Sequence, residues 1–253
     1  MQWEFDLKGK KAVVTGAGRG LGRDIAQGLA RYGADVMLWS RTRSELEETA
    51  ELVRAEGRQA WIQVVDVSDV ADMRAKALEA ETIMGKVDIL VNNAGTNKPQ
   101  PAGMVDEATW DLLMNINLKG AFFCAQMFGT IMIAGGGGKI INVSSQSGKV
   151  ALLNRAVYCA SKGAVDQFTR VLAYEWAEHG ITVNAVAPTF VETSMTETML
   201  QDKTFSEYIF SKLRIPRLAR ASEVTAGVLY LAGPGADIVT GHVLYIDGGW
   251  TIH

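Results

Sequence analysis

The chain reads as an α/β fold, a doubly wound sheet of seven parallel strands with helices on both faces. Three observations predict it. Short apolar runs of strand length recur from one end to the other, helical patterns fill most of the gaps, and a glycine-rich turn stands directly after the first run. Connections this short leave no linker, repeat or low-complexity tract to mark a second domain. With 253 residues, 48% of them hydrophobic, the chain can bury one large core, so residues 1–253 are read as a single domain.

The first strand is predicted over Lys11–Thr15, and the turn Thr15-Gly16-Ala17-Gly18-Arg19-Gly20-Leu21-Gly22 leads into a helix over Leu21–Tyr32. Glycines let the backbone turn tightly there and let an anion approach the helix N-terminus, where unpaired N–H groups and the dipole favour negative charge. The position suits the pyrophosphate of a dinucleotide, although the spacing is not Gly-x-Gly-x-x-Gly in any frame. The second strand, Ala34–Trp39, ends in Trp39-Ser40-Arg41-Thr42. An NAD site would place an acid here for the ribose 2′-hydroxyl. Ser40 and Arg41 stand there instead, and a guanidinium fork suits a 2′-phosphate, with Arg19 able to approach the same region. NADP(H) is therefore favoured over NAD(H).

The third and fourth strands are Ala60–Val65 and Asp88–Val91. Gly120–Gly138, with only Gln126 and Thr130 plainly polar, approaches the length of a membrane span. Its end in four glycines, and its isolation as the one such run, predict a helix buried on all sides instead. Without a solvent face, that helix hints at a partner subunit. The fifth, sixth and seventh strands are Lys139–Val143, Ile181–Val186 and His242–Ile246. Between the last two, residues 189–215 are long, carry Met195, Met199, Phe205, Tyr208 and Phe210 at mixed spacing and show no strand pattern. A substrate loop or lid is expected, with an ordinary packed helical excursion as the alternative.

Tyr158 and Lys162 are four residues apart, so on a helix a phenol and an ammonium project from one face. A nearby cation favours the phenolate, which predicts a lowered Tyr158 pKa and a proton donor and acceptor usable near neutral pH. Twenty-five Lys and Arg against 28 Asp and Glu leave no broad basic surface for nucleic acid or an anionic membrane. Met1–Lys11 lacks the basic and apolar segments of a signal peptide, so a cytoplasmic location is expected. Cys124 and Cys159 are too few for a disulfide framework and form no Cys-x-x-Cys, so two buried reduced thiols and no metal site are expected.

Together these pieces resemble the short-chain dehydrogenase/reductase family over essentially the whole chain. The family's Thr-Gly-x-x-x-Gly-x-Gly loop matches Thr15–Gly22, which accounts for the off-pattern spacing. Its Asp-Val near the adenine matches Asp66-Val67, its Asn-Asn-Ala-Gly matches Asn92–Gly95, and its helix-borne asparagine matches Asn117. Its serine matches Ser145, and its Tyr-x-x-x-Lys matches Tyr158 and Lys162. The resemblance implies a Rossmann fold and hydride transfer between a nicotinamide and a secondary alcohol or ketone. Tyr158 would be the acid or base, Ser145 a hydrogen-bond donor to the reacting oxygen, Lys162 the group that tunes Tyr158 and binds the nicotinamide ribose, and Asn117 the holder of a water beside Lys162. It implies a cofactor cradle of Gly16, Arg19, Gly20, Leu21, Gly22, Ser40, Arg41, Asp66, Val67, Asn93 and Gly95, with Val191 and Thr193 along the carboxamide. The family's Pro-Gly after the sixth strand is here Pro188-Thr189, a departure that implies a differently shaped loop entrance, since Thr189 cannot relax into positive φ as glycine can. The ending Asp247-Gly248-Gly249-Trp250 resembles the segment that packs into a tetramer, so a homotetramer is favoured, with a dimer possible.

Asn97, Gln146 and Asn154 flank the catalytic set and could bond several hydroxyls, which suggests a sugar, sugar acid or polyol. A 3-oxoacyl-[acyl carrier protein] reductase shares every motif. Such reductases tend to present arginines near the site mouth to meet the acidic carrier, and at one such place this chain has Tyr174, with Glu178 just beyond. A non-catalytic nucleotide sensor of the same fold commonly loses the Tyr or Lys, and both are present.

Overall fold

The computed structural model describes residues 5–192, 196 and 200–252. Seven strands form one sheet: β1 (Lys11–Thr15), β2 (Asp35–Ser40), β3 (Ala60–Val64), β4 (Ile89–Asn92), β5 (Gly138–Val143), β6 (Ile181–Pro188) and β7 (Val243–Ile246). All pairs are parallel, in the order β3-β2-β1-β4-β5-β6-β7. The helices are α1 (Gly20–Arg31), α2 (Arg43–Ala55), α3 (Val70–Met84), α4 (Glu107–Met114), α5 (Ala121–Ala134), α6 (Ala156–Trp176), α7 (Lys203–Lys212) and α8 (Ala221–Ala232).

Strand period decides the layers. Ala12, Val14, Val36, Leu38, Ile89 and Val91 pack with α1, α2 and α8, whereas Val13, Met37, Trp39 and Leu90 pack with α3, α5 and α6. The inner strands bury both faces, which is why their runs read as mostly apolar, while the edge strands β3 and β7 are largely half-buried and Val64 is exposed. The strand order reverses between β1 and β4, and that switch point opens a crevice at the carboxyl ends of the strands. It is cross-tied: Thr15 Oγ1 accepts from the backbone of Asn93 and Ala94 at 3.0 Å, and Asn93 Nδ2 donates to Thr15 O at 2.9 Å.

Two expectations are corrected. β6 runs to Pro188, two residues beyond the predicted end, because its ladder with β5 stops at Val186 and the last two residues pair only with β7. The Gly120–Gly138 helix is not buried on all sides. Cys124, Ala125, Phe128, Ile131 and Met132 face the sheet, but Thr130, Ile133 and Ala134 are exposed. With α4 and a π-helical turn it forms one helix from Glu107 to Ala134, long and apolar enough to cross a membrane by length and composition alone. Its inner face belongs to the sheet-covering core.

Candidate active site

The glycine loop earns its glycines by geometry. A Cβ on Gly22 would lie 2.2 Å from the Gly16 carbonyl oxygen and 2.5 Å from Asn93 Nδ2, so α1 packs hard against the loop and the β4 end. Gly16 and Gly20 take left-handed φ of 65° and 54°, and nothing lies within 4 Å of a Cβ built on Gly20. Arg19 is the N-cap of helix α1, which has no side-chain cap and no acid in its first turn. Its first N–H groups, from Gly20 through Gly22, are therefore free for an anion.

At the β2 end, Ser40 is half-buried and Arg41 exposed. Burial tends to push the Asp66 carboxyl up, but two hydrogen bonds from Ser68 and the charge of Arg41 leave it below its ordinary value. Arg41 and Asp66 thus face the same region, across from each other. The sequence reading missed Glu45, on the first turn of α2. Its carboxylate lies 3.7 Å from the Arg19 guanidinium, and a Cβ on Gly18 would come within 3.0 Å of it. An acid three residues into a helix looks like ordinary dipole compensation, so nothing in the pattern marked it. Val67 packs its carbonyl against Gly120, where a Cβ would approach to 2.7 Å.

Beyond the glycine loop, the predicted catalytic residues converge. Ser145 ends the segment after β5, Tyr158 and Lys162 lie on the first turns of α6, and Asn117 sits in the π-helical turn Asn115–Gly120. A Cβ on Gly95 would be 3.4 Å from Asn117 Oδ1 and 3.7 Å from Lys162 Nζ, so these groups share one wall. Lys162 Nζ lies 5.8 Å from the Tyr158 ring centre and donates to the Val143 carbonyl at 2.7 Å. Ser145 Oγ donates to Gln146 Oε1 at 2.9 Å and accepts from Ser147 N at 3.2 Å.

The electrostatics reverse one expectation. Burial pushes the Tyr158 phenol above its ordinary value, and the hydrogen bond with Ser145 only partly offsets this. Burial lowers Lys162 to about 8, against the raising effect of the Asp166 carboxylate one helical turn on. The phenol is not lowered by Lys162, because desolvation acts on both groups and the ammonium is turned to the Val143 carbonyl.

Asn117 is held by its own amide. Its Oδ1 accepts from Thr96 N at 2.7 Å, and its Nδ2 donates to Thr96 O at 2.9 Å and Ser161 Oγ at 3.3 Å. The amide clamps the chain after β4 to α6, which commits both its donors. π-Helical turns of this kind concentrate at functional sites. Gln146 is 2% exposed and bonded to Ser145, so it orients the serine instead of facing open space. Asn154 is exposed, with a left-handed φ of 59°, and its carbonyl accepts from Gln100 N at 2.9 Å. Asn97 keeps a buried Oδ1 without a partner. Arg155, three residues before Tyr158, is buried and was not singled out from sequence, because a lone arginine in a loop reads as solvated.

Thr189, where the resemblance expects glycine, does not take a positive φ. It is buried, donates from its backbone to Ile246 at 3.1 Å, and leaves its Oγ1 without a partner. Val191 forms a single bridge to Ala219. Thr193, Met195 and Met199 lie outside the described residues. The later part of 189–215 holds α7, whose Phe205 and Tyr208 pack with Phe190 and Trp250 at ring distances of 5.8 to 6.2 Å. Among the described residues of this segment, α7 is packed, with Ile209 fully buried. Cys124 is buried and its thiol is pushed up by that burial, while Cys159 is only half-buried.

The short chain dehydrogenase family model matches residues 10–204. Gluconate 5-dehydrogenase of Gluconobacter oxydans (strain 621H) is 37% identical over 248 residues, covering 98% of this chain and 97% of the relative. Galactitol 2-dehydrogenase (L-tagatose-forming) of Cereibacter sphaeroides is 41% identical over 252 residues, covering 98% and 97%. Among solved structures, a gluconate 5-dehydrogenase from Burkholderia cenocepacia J2315 in complex with NADP and tartrate superposes with a TM-score of 0.95 at 37% identity, covering 99% of this chain and 98% of that one. The chain resembles sugar and sugar-acid dehydrogenases, belongs to the short chain dehydrogenase family and is an oxidoreductase of that family.

Proposed function

We propose that the protein interconverts a secondary alcohol and a ketone on a sugar, sugar acid or polyol, with NADP(H) preferred over NAD(H). The observation that carries this reading is the shared wall of Ser145, Tyr158, Lys162 and Asn117 at the carboxyl end of the switch point. The relatives that act on gluconate and galactitol, and the neighbour bound to NADP and tartrate, support the substrate class and the nucleotide.

The residues fit a dinucleotide. The uncapped N-terminus of α1 and the open space over Gly20 suit a pyrophosphate held by Gly16, Arg19, Gly20, Leu21 and Gly22. Ser40 and Arg41 suit a 2′-phosphate, Asp66 and Val67 the adenine side, and Asn93 and Gly95 the path to the nicotinamide. Val191, with Thr193, is assigned to the carboxamide, and Tyr158 and Lys162 to the nicotinamide ribose. When bound, the nicotinamide supplies or accepts hydride.

The chain does the rest. The raised phenol of Tyr158 keeps its proton at neutral pH, ready to give it to a forming alkoxide. Ser145 turns its hydroxyl from Gln146 to the same oxygen and stabilises the charge that develops there. Lys162 holds positive charge behind Tyr158, and Asn117 acts as a positioning residue by clamping Thr96 to α6. Half-buried Phe122 on α5 and exposed Val171 on α6 line one apolar groove, which supports self-association, with a tetramer favoured and sedimentation as its check.

A panel of alditols, aldonates, ketoses, keto-acids and acetoacetyl thioesters, followed at 340 nm with each nucleotide, tests the reading. Turnover of the carbohydrate members supports it. Turnover of the thioester alone points to an acyl-chain reductase, and no turnover across the panel points to a nucleotide sensor.

A further inference from the structure

Arg155 is a charged side chain only 5% exposed, and its Nε has no hydrogen-bond partner. Its Nη1 reaches only the carbonyls of Leu153 at 3.5 Å and Asn154 at 3.4 Å, both at the long limit of a hydrogen bond. No carboxylate among the described residues pairs with it, and the ionisable groups that act on it are Cys159 and Tyr158. Burial pulls the guanidinium below its ordinary value, the mark of a cation without a counter-ion. A buried charge in that state is costly unless something pairs with it.

Its setting is built. The guanidinium carbon stands 6.0 Å from the centre of the Phe205 ring, which belongs to the apolar cluster of Leu152, Ile209 and Trp250. The residue before it, Asn154, is the only described non-glycine residue with a positive φ, and its carbonyl is tied to Gln100 N. Backbone strain of this kind persists where the surroundings over-determine it, and here it sets the direction in which Arg155 enters. Arg155 stands at the N-cap of α6, three residues before Tyr158, and its guanidinium is near enough to the Tyr158 phenol for the two to act on each other electrostatically.

We infer that Arg155 receives the carboxylate of the substrate, and that the substrate is therefore a polyhydroxy acid or its keto-acid instead of a neutral polyol. The assignment rests on the alcohol and ketone chemistry proposed above and narrows it. A planar fork of donors matches a carboxylate in two parallel hydrogen bonds, and the aromatic wall strengthens the pair by excluding water. The acid group on Arg155 then fixes which carbon of the chain lies against Tyr158.

The test compares C4 to C6 aldonates with their matching alditols, which differ at C1 in a carboxylate against a CH2OH, on the full chain with saturating NADP. Wild type is expected to favour the acids by about 100-fold in kcat/KM. Arg155→Met should lose about 100-fold on the acids, mostly through KM, and under tenfold on the alditols, with Arg155→Lys between. Binding is read in parallel as the acid-induced rise in Tm of the NADP complex. Wild type and Tyr158→Phe should both show it, and Arg155→Met should not. An alditol used as well as its acid, equal losses on both classes, or no acid-specific rise in wild type would overturn the assignment. A rise that depends on Arg155 in an enzyme that turns over no member of the panel would support it and sink the catalytic reading instead.

Discussion

The Ser145 hydroxyl donates to the side-chain oxygen of its neighbour Gln146 at 2.9 Å. In the proposed role the serine aims its proton at a substrate oxygen, and here it is held on a buried amide that can release it. Gln146→Leu should leave the hydroxyl without that guide and lower kcat about tenfold, with nucleotide affinity intact. Ser145→Ala should cost about 10² to 10³ in kcat, as loss of one donor to a developing oxyanion does. Steady-state kinetics beside fluorescence titration of NADPH check both, and a Gln146→Leu enzyme with weaker nucleotide binding and unchanged kcat would contradict this role.

Glu45 stands against Arg19 at 3.7 Å, beside the region assigned to a 2′-phosphate. On the proposed placement it would compete for the cation and repel the phosphate, and so moderate the preference proposed for Arg41. Glu45→Gln should raise the NADP to NAD ratio of kcat/KM about three- to tenfold, on the order of 1 kcal/mol for a partly exposed pair. Arg41→Asp should move the ratio the other way and further. If both ratios stay put, the 2′-phosphate lies elsewhere.

Lys162 carries a stability signature. Its folded value of about 8 lies below the unfolded one near 10.5, so the folded state holds the proton less tightly. The cost to folding is complete below pH 8 and fades as pH rises from about 8 to 10.5. Lys162→Met should therefore stabilise the nucleotide-free protein at pH 7 by about 1 to 3 kcal/mol, after allowance for the lost bond to Val143, and raise Tm by a few degrees. The gain should vanish near pH 10.5, and turnover should be lost throughout. Thermal melts at the two pH values decide it, and a lower Tm at pH 7 would contradict the burial cost.

The strand and helix alternation was legible because the inner strands of this sheet bury both faces, so their runs are mostly apolar, as in β1 and β2. The convergence of Ser145, Tyr158 and Lys162 was legible because it is encoded in local spacing along one loop and one helix. What sequence could not carry was the environment. Burial reverses the expected direction of the Tyr158 shift, and Asn117 spends its amide on Thr96, a partner 21 residues away. Arg155 and Glu45 escaped notice because a charged residue reads as solvated until its neighbours in space are known.

Tyr158→Phe tests the central claim most directly. Turnover of the best substrate of the panel is followed at 340 nm in both directions, with nucleotide affinity measured on the same preparation. The account predicts a loss of kcat of about 10³ or more with the NADPH dissociation constant within about threefold. For wild type, it predicts reduction sustained at neutral pH and oxidation rising with pH, since the raised phenol must lose its proton to act as base. A Tyr158→Phe enzyme that keeps kcat within tenfold of wild type would contradict it.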